Sequence, residues 1–300
     1  MKILLLGCNG QVGWELQRSL APLGEIVALD FDSAGPWQAD FAHPLRLAEM
    51  VRALAPQVIV NAAAHTAVDK AESDSELARC INATAPGVLA TEARKLGALL
   101  LHYSTDYVFD GSGDQPRAED APTGPLNVYG RTKLEGEALI RDSGCTHLIL
   151  RTSWVYAARG GGNFARTMLR LAAERDSLSV IDDQIGAPTG AELLADVSAH
   201  AILRTRDDPG LAGTYHCVAL GQTSWHGYAQ FVIEQARAAG QALRVAPGAV
   251  KPVPTSAFPT PAQRPLNSRL DSGKLQAAFG LALPAWQTGV SRMLSEVLGR

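Results

Sequence analysis

The sequence contains little cysteine and no long apolar run, and both absences narrow the kind of protein it encodes. Four cysteines among 300 residues are widely separated and form no CxxC pair, which excludes the spacing of a zinc ribbon or a dithiol redox motif. We expect reduced core thiols at Cys8, Cys80, Cys145 and Cys217. No apolar run reaches the roughly 18 residues of a membrane-spanning helix, and the apolar start stops at Gly7 without a signal-peptide cleavage site. We therefore expect a cytoplasmic protein.

An excess of charge of one sign is also lacking. The net charge is −3, from 27 basic and 30 acidic residues, and no block of like charge occurs. Nucleic acids and anionic membranes call for clustered Lys and Arg, so neither is an expected partner. A composition of 46% hydrophobic and 19% charged residues is typical of globular proteins. A small-molecule partner fits these observations better.

Short apolar runs alternate with helix-length segments in the first half of the chain. Continuous rather than alternating apolar runs indicate strands buried on both faces, and the segments between them suit helical crossovers. The sequence therefore predicts an α/β fold, a Rossmann-type doubly wound parallel sheet. The five predicted strands are Ile3 to Leu6, Ile26 to Leu29, Val58 to Asn61, Leu99 to Tyr103 and His147 to Arg151.

The second half has a looser pattern. Asn163 to Glu174 is typical of a helix, Thr214 to Ala219 of a further sheet strand, and the proline-rich stretch from Pro247 to Pro265 of an ordered loop. We predict a dinucleotide-binding domain in residues 1–158 and 190–218. Residues 159–189 and 219–300 then form a smaller, mixed α/β substrate-binding lobe.

The glycine-rich segment Gly7-Cys8-Asn9-Gly10-Gln11-Val12-Gly13 follows the first predicted strand and opens a helix. Glycine there makes a tight turn, lets backbone N–H groups approach a pyrophosphate and lets the helix pack on the strand. A plain tight turn is the alternative. We predict that this turn binds a dinucleotide through Gly7, Gly10, Gln11, Val12 and Gly13.

Further cofactor contacts are expected at three strand ends. Asp30 ends the second strand, where an acidic residue commonly binds the ribose 2′-hydroxyl of NAD; an ordinary strand-end cap is the alternative. No arginine follows it at once to hold a 2′-phosphate, which favours NADH slightly. We expect Asp40 and Phe41 to follow another strand and cover the adenine. The small residues Ala63 and Ala64, together with His65, allow the backbone to lie close to the cofactor.

Tyr129 and Lys133 are four residues apart and share one face of a predicted helix. A nearby ammonium favours the phenolate form of a tyrosine, and the same lysine can bind the cofactor ribose. Tyr103 and Thr105 lie at the end of the fourth strand, beside the expected nicotinamide, where the threonine can bond a substrate carbonyl. A solvated helix pair and a strand-end turn are the alternatives. No GxSxG or HExxH segment offers a competing mechanism.

Longer strings resemble the extended short-chain dehydrogenase/reductase family and, within it, the dTDP-4-dehydrorhamnose reductases. The resemblance spans nearly the whole chain. It rests on the glycine turn, Ser104 to Gly111, Tyr129 to Lys133, Asn61 to Glu72, Arg151 to Tyr156 and Arg264 to Ser268.

The resemblance implies reduction of the 4-keto group of dTDP-6-deoxy-L-lyxo-4-hexulose to dTDP-L-rhamnose, which supplies bacterial cell-surface polysaccharide. Either NADPH or NADH is then the hydride donor, which overrides the slight preference for NADH. Tyr129 would protonate the new alkoxide, Lys133 would tune Tyr129 and hold the ribose, and Thr105 would orient the carbonyl. The implied substrate contacts are Val68, Thr105, Asp106, Trp154, Asn163 and Arg264.

Some members of this family form a dimer around Mg²⁺ held by glutamates, and Glu15, Glu192 and Glu296 occupy the matching positions. Solvated surface acids are the alternative. Two other functions stay open. A sugar-nucleotide epimerase or dehydratase uses the same scaffold, although Tyr107 after Asp106 does not fit a dehydratase. A non-catalytic dinucleotide-binding regulatory subunit is the second, and the intact Thr105, Tyr129 and Lys133 argue against it.

Overall fold

The structure is a computed structural model that describes residues 1–299. In chain order the strands are β1 Lys2–Leu6, β2 Glu25–Leu29, β3 Val58–Asn61, β4 Leu99–Thr105, β5 His147–Thr152, β6 Val155–Tyr156, β7 Leu178–Ile181, β8 Ile185–Gly186, β9 Thr189–Gly190, β10 Gly213–His216, β11 Thr223–Ser224 and β12 Val250–Val253. The helices are α1 Gln11–Leu20, α2 Pro44–Leu54, α3 Val68–Ser73, α4 Ser75–Arg79, α5 Ala85–Leu96, α6 Val128–Asp142, α7 Phe164–Glu174, α8 Ala191–Asp207, α9 Trp225–Ala238, α10 Gly273–Phe279 and α11 Trp286–Val297.

A six-stranded sheet with the order β10-β5-β4-β3-β1-β2 forms the centre of the molecule. Every neighbouring pair in it is parallel. The five strands predicted in the first half are all present, and the sixth, β10, returns beside β5 near the predicted Thr214. The predicted α/β fold with a doubly wound parallel sheet is confirmed.

Both faces of this sheet are covered, which explains why its strands are apolar without alternation. In β1, Ile3 and Leu5 pack with α1 and α8 on one face. The next residues along, Leu4 and Leu6, pack with α2 and α5 on the other face. Successive side chains of a strand point to opposite faces, so a strand buried on both needs an apolar residue at every position.

A separate apolar cluster lies in the second half of the chain. Helices α7, α9 and α11 supply most of it, together with the parallel pair β7 and β12. The helix predicted from Asn163 to Glu174 is present as α7, and Asn163 caps it by accepting a hydrogen bond from the Arg166 N–H at 3.1 Å. The boundaries of the two predicted lobes stay a prediction.

Two expectations about local structure were wrong. No strand lies between β2 and Asp40. Residues 30–43 form a loop, which a hydrogen bond of 2.9 Å from the Ala39 N–H to the Asp30 carbonyl closes. Gly35 and Pro36 break a strand there. The stretch from Pro247 to Pro265 contains strand β12, because a proline is tolerated in a two-stranded edge pair where its missing N–H is not needed.

Helix α6, which carries Tyr129 and Lys133, is anchored to the sheet by a buried ion pair. Glu137 is fully buried, and Arg151 from β5 donates to its two oxygens at 2.8 and 2.7 Å. Arg141 adds a third bond at 3.1 Å. Burial raises the pKa of Glu137, but the hydrogen bonds and charge of Arg151, together with hydrogen bonds from Ser104 and Arg141, outweigh burial and lower the pKa overall.

No helix within residues 1–299 is both long and apolar enough to cross a membrane. The four cysteines are free: Cys8, Cys145 and Cys217 are buried and Cys80 is half-buried.

Replacing Arg151 with Met should lower the free energy of unfolding by about 3–5 kcal/mol, because it leaves the Glu137 carboxylate buried without its main partner. Arg170→Met is the control, since Arg170 forms an exposed pair with Glu174 and should change stability by less than about 1 kcal/mol. Urea unfolding at neutral pH measures both. Equal losses in the two variants would contradict the anchoring role of Arg151.

Candidate active site

A cavity of about 720 Å³ lies at the carboxyl edge of the central sheet, which is where open parallel sheets bind ligands. Residues from β4 and β5, and from the loops that follow β1, β2 and β3, form most of its lining. The lining residues are Gly7, Asn9, Gly10, Gln11, Val12, Asp30, Phe31, Ala39, Asp40, Phe41, Ala42, Ala62, Ala63, Ala64, Thr66, Leu77, Ile81, Tyr103, Ser104, Tyr129, Lys133, Thr152, Val155 and Gly160.

The glycine turn forms one wall of this cavity, and two of its glycines have no room for a side chain. Gly7 has a φ of +83°, and a Cβ on it would lie 2.7 Å from the Ala63 nitrogen. A Cβ on Gly13 would lie 1.9 Å from the Gly7 carbonyl oxygen. Gly13 therefore supports the turn from beneath and does not itself line the cavity.

The third glycine leaves the start of helix α1 open to the cavity. Gly10 is the N-cap residue of α1, and no side chain caps the helix. A Cβ on Gly10 would be 3.4 Å from the nearest atom, the Gly7 oxygen, so the turn itself has room for a side chain here. Glycine at this position instead keeps the neighbouring part of the cavity free of a side chain. Unsatisfied N–H groups and the positive end of the helix dipole fit a pyrophosphate at this position. A dinucleotide cofactor therefore fits the cavity.

Asp30, which follows β2, lies beside the glycine turn. Its carboxylate accepts hydrogen bonds from the N–H groups of Asn9 at 3.0 Å and Phe31 at 2.9 Å. Both bonds orient the carboxylate at the cavity wall. The other expected cofactor contacts line the cavity, except His65. The Asn82 side chain holds the His65 backbone by accepting its N–H at 2.9 Å and donating to its carbonyl at 3.1 Å.

Several lining residues were missed by the sequence reasoning. Leu77 and Ile81 arrive from the α4 region, and Gly160 comes from the loop before α7, where its Cα approaches the backbone of Gln11. Nothing in their local sequence marks them. Phe31 adjoins Asp30 and Ala62 adjoins Ala63, and these could have been inferred from their neighbours.

Tyr129 and Lys133 lie in the first turns of α6 and both line the cavity. Asn127 starts this helix by accepting the Gly130 N–H at 2.8 Å. Burial raises the pKa of Tyr129 to about 12, a hydrogen bond with the Thr105 hydroxyl lowers it, and the charge of Asp106 raises it. The phenol of Tyr129 therefore keeps its proton at neutral pH.

The Lys133 side chain is buried between α6 and β4. Its Nζ donates to the Tyr103 carbonyl at 2.6 Å and lies 3.1 Å from Nε2 of His102. Burial lowers the pKa of Lys133 to about 8, and the charge of Glu137 acts in the opposite direction. A small change in its surroundings is therefore enough to change its charge near neutral pH.

Thr105 and Asp106 end β4 beside the phenol. The Thr105 hydroxyl donates to the Asp106 carboxylate at 3.0 Å and accepts the Tyr107 N–H at 3.2 Å. Burial raises the pKa of Asp106 to about 6, against hydrogen bonds with Ser268 and Thr105 that lower it. The hydroxyl is thus held in one place next to Tyr129.

Trp154 has a φ of +48°, a backbone conformation that a large side chain adopts only when its surroundings impose it. Its ring stacks on that of Trp225, with centroids 3.7 Å apart and an interplanar angle of 15°. The Trp225 indole N–H in turn donates to Gln184 at 3.0 Å. Trp225 of α9 thereby fixes the position of an aromatic ring that follows β5.

The remaining expected substrate contacts fall in two places, with Arg264 and Val68 in one and Asn163 in the other. Arg264 forms a two-pronged ion pair with Asp69 on α3, at 2.6 and 2.7 Å, and Val68 is the neighbouring residue at the start of that helix. Asn163 caps α7 and donates to the Ala157 carbonyl at 2.7 Å. It lies 3.4 Å from the Gln11 side chain, on the side of the glycine turn. Their role as substrate contacts stays a prediction.

The three glutamates expected to hold Mg²⁺ lie on α1, α8 and α11. Burial raises the pKa of Glu192, and the charges of Glu15 and Glu296 raise it further, so the three carboxylates share one region. Glu15 pairs with Arg18 at 3.5 Å and Glu296 with Arg292 at 3.7 Å. The part of the chain from 1 to 299 contains no group of three or more His, Cys, Asp or Glu that could hold a metal ion. One chain alone does not fit such a site.

Known proteins resemble this chain over its whole length. The family model described as RmlD substrate binding domain matches residues 1–298. A dTDP-4-dehydrorhamnose reductase of Salmonella typhimurium is 59% identical over 297 residues, which cover 99% of this chain and 98% of that protein. A solved dTDP-4-dehydrorhamnose reductase from Clostridium acetobutylicum is 35% identical with a TM-score of 0.88, covering 98% of this chain and 99% of that one. The Bacillus anthracis reductase, solved in complex with NADP, is 33% identical with a TM-score of 0.86 at the same coverage.

A pair of alanine variants should separate the two purposes of the glycines. Gly13→Ala should lower the melting temperature, because its Cβ overlaps the Gly7 oxygen. Gly10→Ala should keep the melting temperature, since its backbone φ of −71° suits alanine, but weaken NADPH binding by roughly tenfold or more through its methyl group. Thermal unfolding and fluorescence titration measure these effects. Unchanged NADPH affinity in Gly10→Ala would show that the glycine turn does not bind the cofactor.

Proposed function

The chain belongs to the family described as the RmlD substrate binding domain, and on that premise we propose that it reduces the 4-keto group of dTDP-6-deoxy-L-lyxo-4-hexulose to give dTDP-L-rhamnose. It is an NAD(P)-dependent oxidoreductase of dTDP-rhamnose synthesis. The observation that carries this proposal is that Tyr129 and Lys133 both line the dinucleotide cavity, with Thr105 close enough to the phenol to lower its pKa.

The cofactor is NADPH or NADH, which supplies the hydride for the 4-keto carbon. The open start of α1 would hold its pyrophosphate, and Asp30 faces the region where the adenosine ribose would lie. The NADP complex of the Bacillus anthracis relative supports this assignment. Phe31 and Phe41 flank the same end of the cavity, where they offer apolar surface for the adenine.

The chain's own residues would complete the reduction by moving one proton. As hydride reaches the carbonyl carbon, the oxygen gains the charge of an alkoxide, and the Tyr129 hydroxyl donates its proton to that oxygen. The single hydroxyl hydrogen of Thr105, which Asp106 accepts in the structure, would turn to the same oxygen and so hold it near the phenol. The phenolate that remains is stabilised by Lys133 in its ammonium form. Because the site is largely buried, these charges interact more strongly than they would in water.

An epimerase on the same scaffold is the main rival among enzymes, since a Tyr/Lys pair also serves that reaction. The 59% identity to a curated reductase across 99% of the chain favours reduction. A regulatory subunit would not need the buried Lys133 or the fixed Thr105 hydroxyl. We also propose that the protein acts in the cytoplasm and as a homodimer. Mg²⁺ is not needed for any step above.

Supplying the 4-keto-hexulose nucleotide to the purified protein should cause NADPH or NADH oxidation, visible as loss of absorbance at the nicotinamide band. UDP-glucose should cause none, because it carries no keto group to accept the hydride. If the cofactor is not consumed in the presence of the keto sugar, the reductase assignment is wrong.

Tyr129→Phe should bind NADPH normally and lose about 10²–10⁴-fold in kcat, because it removes the general acid and leaves the ring. Tyr215→Phe is the matched control, since its hydroxyl bonds the Leu211 carbonyl away from the cavity. Steady-state kinetics and a binding titration test both variants. A Tyr129→Phe enzyme with full turnover would show that another group supplies the proton.

An ion shared between two chains would draw glutamates from both, since residues 1–299 of one chain hold no group of three or more possible metal ligands. If Glu15, Glu192 and Glu296 hold Mg²⁺ in this way, a chelator should convert a dimer to a monomer in size-exclusion chromatography. Glu192→Gln should do the same without chelator. An elution volume that neither treatment changes would rule out the metal-bridged dimer.

A further inference from the structure

Behind Lys133 lies a buried chain of polar groups that the reaction described above does not use. His102 on β4 is 1% exposed and Asn61 at the end of β3 is also 1% exposed. The Asn61 amide nitrogen lies 2.9 Å from Nδ1 of His102, and Nε2 of the same ring lies 3.1 Å from Nζ of Lys133. Two neighbouring strands thus connect the sheet core to the lysine.

The backbone of Ala63 fixes the direction of this chain. Its N–H donates to the Asn61 side-chain oxygen at 3.0 Å, so the Asn61 amide must present its NH₂ group to His102. Nδ1 of His102 therefore accepts a hydrogen bond. A neutral imidazole carries one hydrogen, and with Nδ1 accepting, that hydrogen is on Nε2.

His102 is held neutral by its surroundings. Burial lowers the pKa of His102 well below its usual value, and the charge of Lys133 lowers it further. The Nε2–H of this neutral ring then points at the lysine nitrogen. An ammonium has three donors and no lone pair, whereas an amine can accept the Nε2–H and still donate to the Tyr103 carbonyl.

We propose that His102 is a positioning residue for Lys133: with its tautomer fixed by Asn61, it presents an N–H to the lysine nitrogen and so favours the amine over the ammonium. Charging Lys133 then requires that this contact be lost, because the Ala63 N–H keeps the Asn61 amide in its orientation. Burial lowers the pKa of Lys133 to about 8, and the contact with His102 acts in the same direction.

The other charged groups around Lys133 do not explain the preference for the amine. Glu137, on the same helix, raises the pKa of Lys133 and is itself bound by Arg151 from β5. On the helices packed against α6, Arg79 of α4 pairs with Glu135, and Glu72 of α3 accepts the Val128 N–H at 2.7 Å. Two titratable groups lie on the side of the phenol: Asp106, which follows β4, and Tyr129 itself, in the first turn of α6.

The consequence for the proposed reductase is a loss of activity on the alkaline side. The ammonium of Lys133 stabilises the Tyr129 phenolate, and a lowered pKa means that this ammonium is present below about pH 8 and lost above it. Reduction should therefore slow as pH rises through this value, well below the pH at which an ordinary lysine loses its proton.

A tautomer measurement tests the geometry without turnover. In protein labelled with ¹⁵N-histidine, the His102 resonances, assigned by their absence in His102→Gln, should be those of the neutral Nε2–H tautomer from pH 6 to 9. His147→Gln is the control for a histidine on the neighbouring strand. A Nδ1–H tautomer, or protonation of His102 near pH 6.5, would overturn the proposal.

Asn61→Asp should reverse the direction of the hydrogen bonds from residue 61 through His102 to Lys133, with a side chain of the same shape. One carboxylate oxygen can still accept the Ala63 N–H, while the other accepts Nδ1–H of His102, which turns Nε2 into an acceptor for the Lys133 ammonium. The ¹⁵N spectrum should change to the Nδ1–H tautomer, and the alkaline limb of kcat should move up by about one pH unit, the size expected for a hydrogen bond to a charged group. An unchanged tautomer, or an unchanged limb in an active variant, would refute the role of His102.

The kinetic arm rests on the proposed reductase activity, and the spectroscopic arm does not. A titration of ¹³C-lysine-labelled protein, with Lys133 assigned by its absence in Lys133→Met, reads the charge of this lysine directly. Wild-type Lys133 should titrate near pH 8 and Asn61→Asp higher. Equal midpoints would count against the proposal even if the enzyme reduces its substrate as expected.

Discussion

The site depends on the buried ion pair between Glu137 and Arg151, because it fixes helix α6 against the sheet. A carboxylate and a guanidinium removed from water are stable only when both are paired in good geometry. Their bonds therefore allow one position of α6 relative to β5. Lys133 lies one turn before Glu137 on the same helix, so the anchor also sets the depth at which the lysine reaches β4.

Two glycines let α6 come close enough for this arrangement. A Cβ on Gly130 would lie 2.2 Å from the Tyr107 carbonyl oxygen, and one on Gly136 would lie 2.2 Å from the Asn82 carbonyl oxygen. The helix is thus in backbone contact with the segment after β4 and with the turn before α5. Close backbone packing leaves the functional side chains little freedom, which is the condition for a preorganised site.

Burial shifts the pKa values of Tyr129 and Lys133 in opposite directions. It raises the pKa of Tyr129 and lowers that of Lys133, so burial favours the uncharged form of each. The proposed reaction would create a phenolate, and a phenolate beside an ammonium is stabilised where water is excluded. The polar chain through His102 contacts Lys133 from behind the cavity, because neither His102 nor Asn61 lines it.

Local patterns in the sequence were sufficient for the sheet, the glycine turn and the catalytic helix. The strands of a doubly wound sheet are apolar at every position, the turn needs glycine where Gly7 and Gly13 leave no room for Cβ, and Tyr129 and Lys133 share a helix face at a spacing of four. Each of these features is decided within a few residues, so the sequence alone determined them. The loop before Asp40 was misjudged because Gly35 and Pro36 outweighed an expected strand.

Only the tertiary structure decided which distant residues meet. Leu77 and Gly160 line the cavity, Trp225 stacks on Trp154, and Arg264 is paired with Asp69, although nothing near any of them in sequence indicates its partner. The tertiary structure also decided the charges of Tyr129 and Lys133, although their spacing of four residues was evident in the sequence. Their pKa values follow from burial and from groups on other strands, and these are brought together only when the sheet and helix α6 pack.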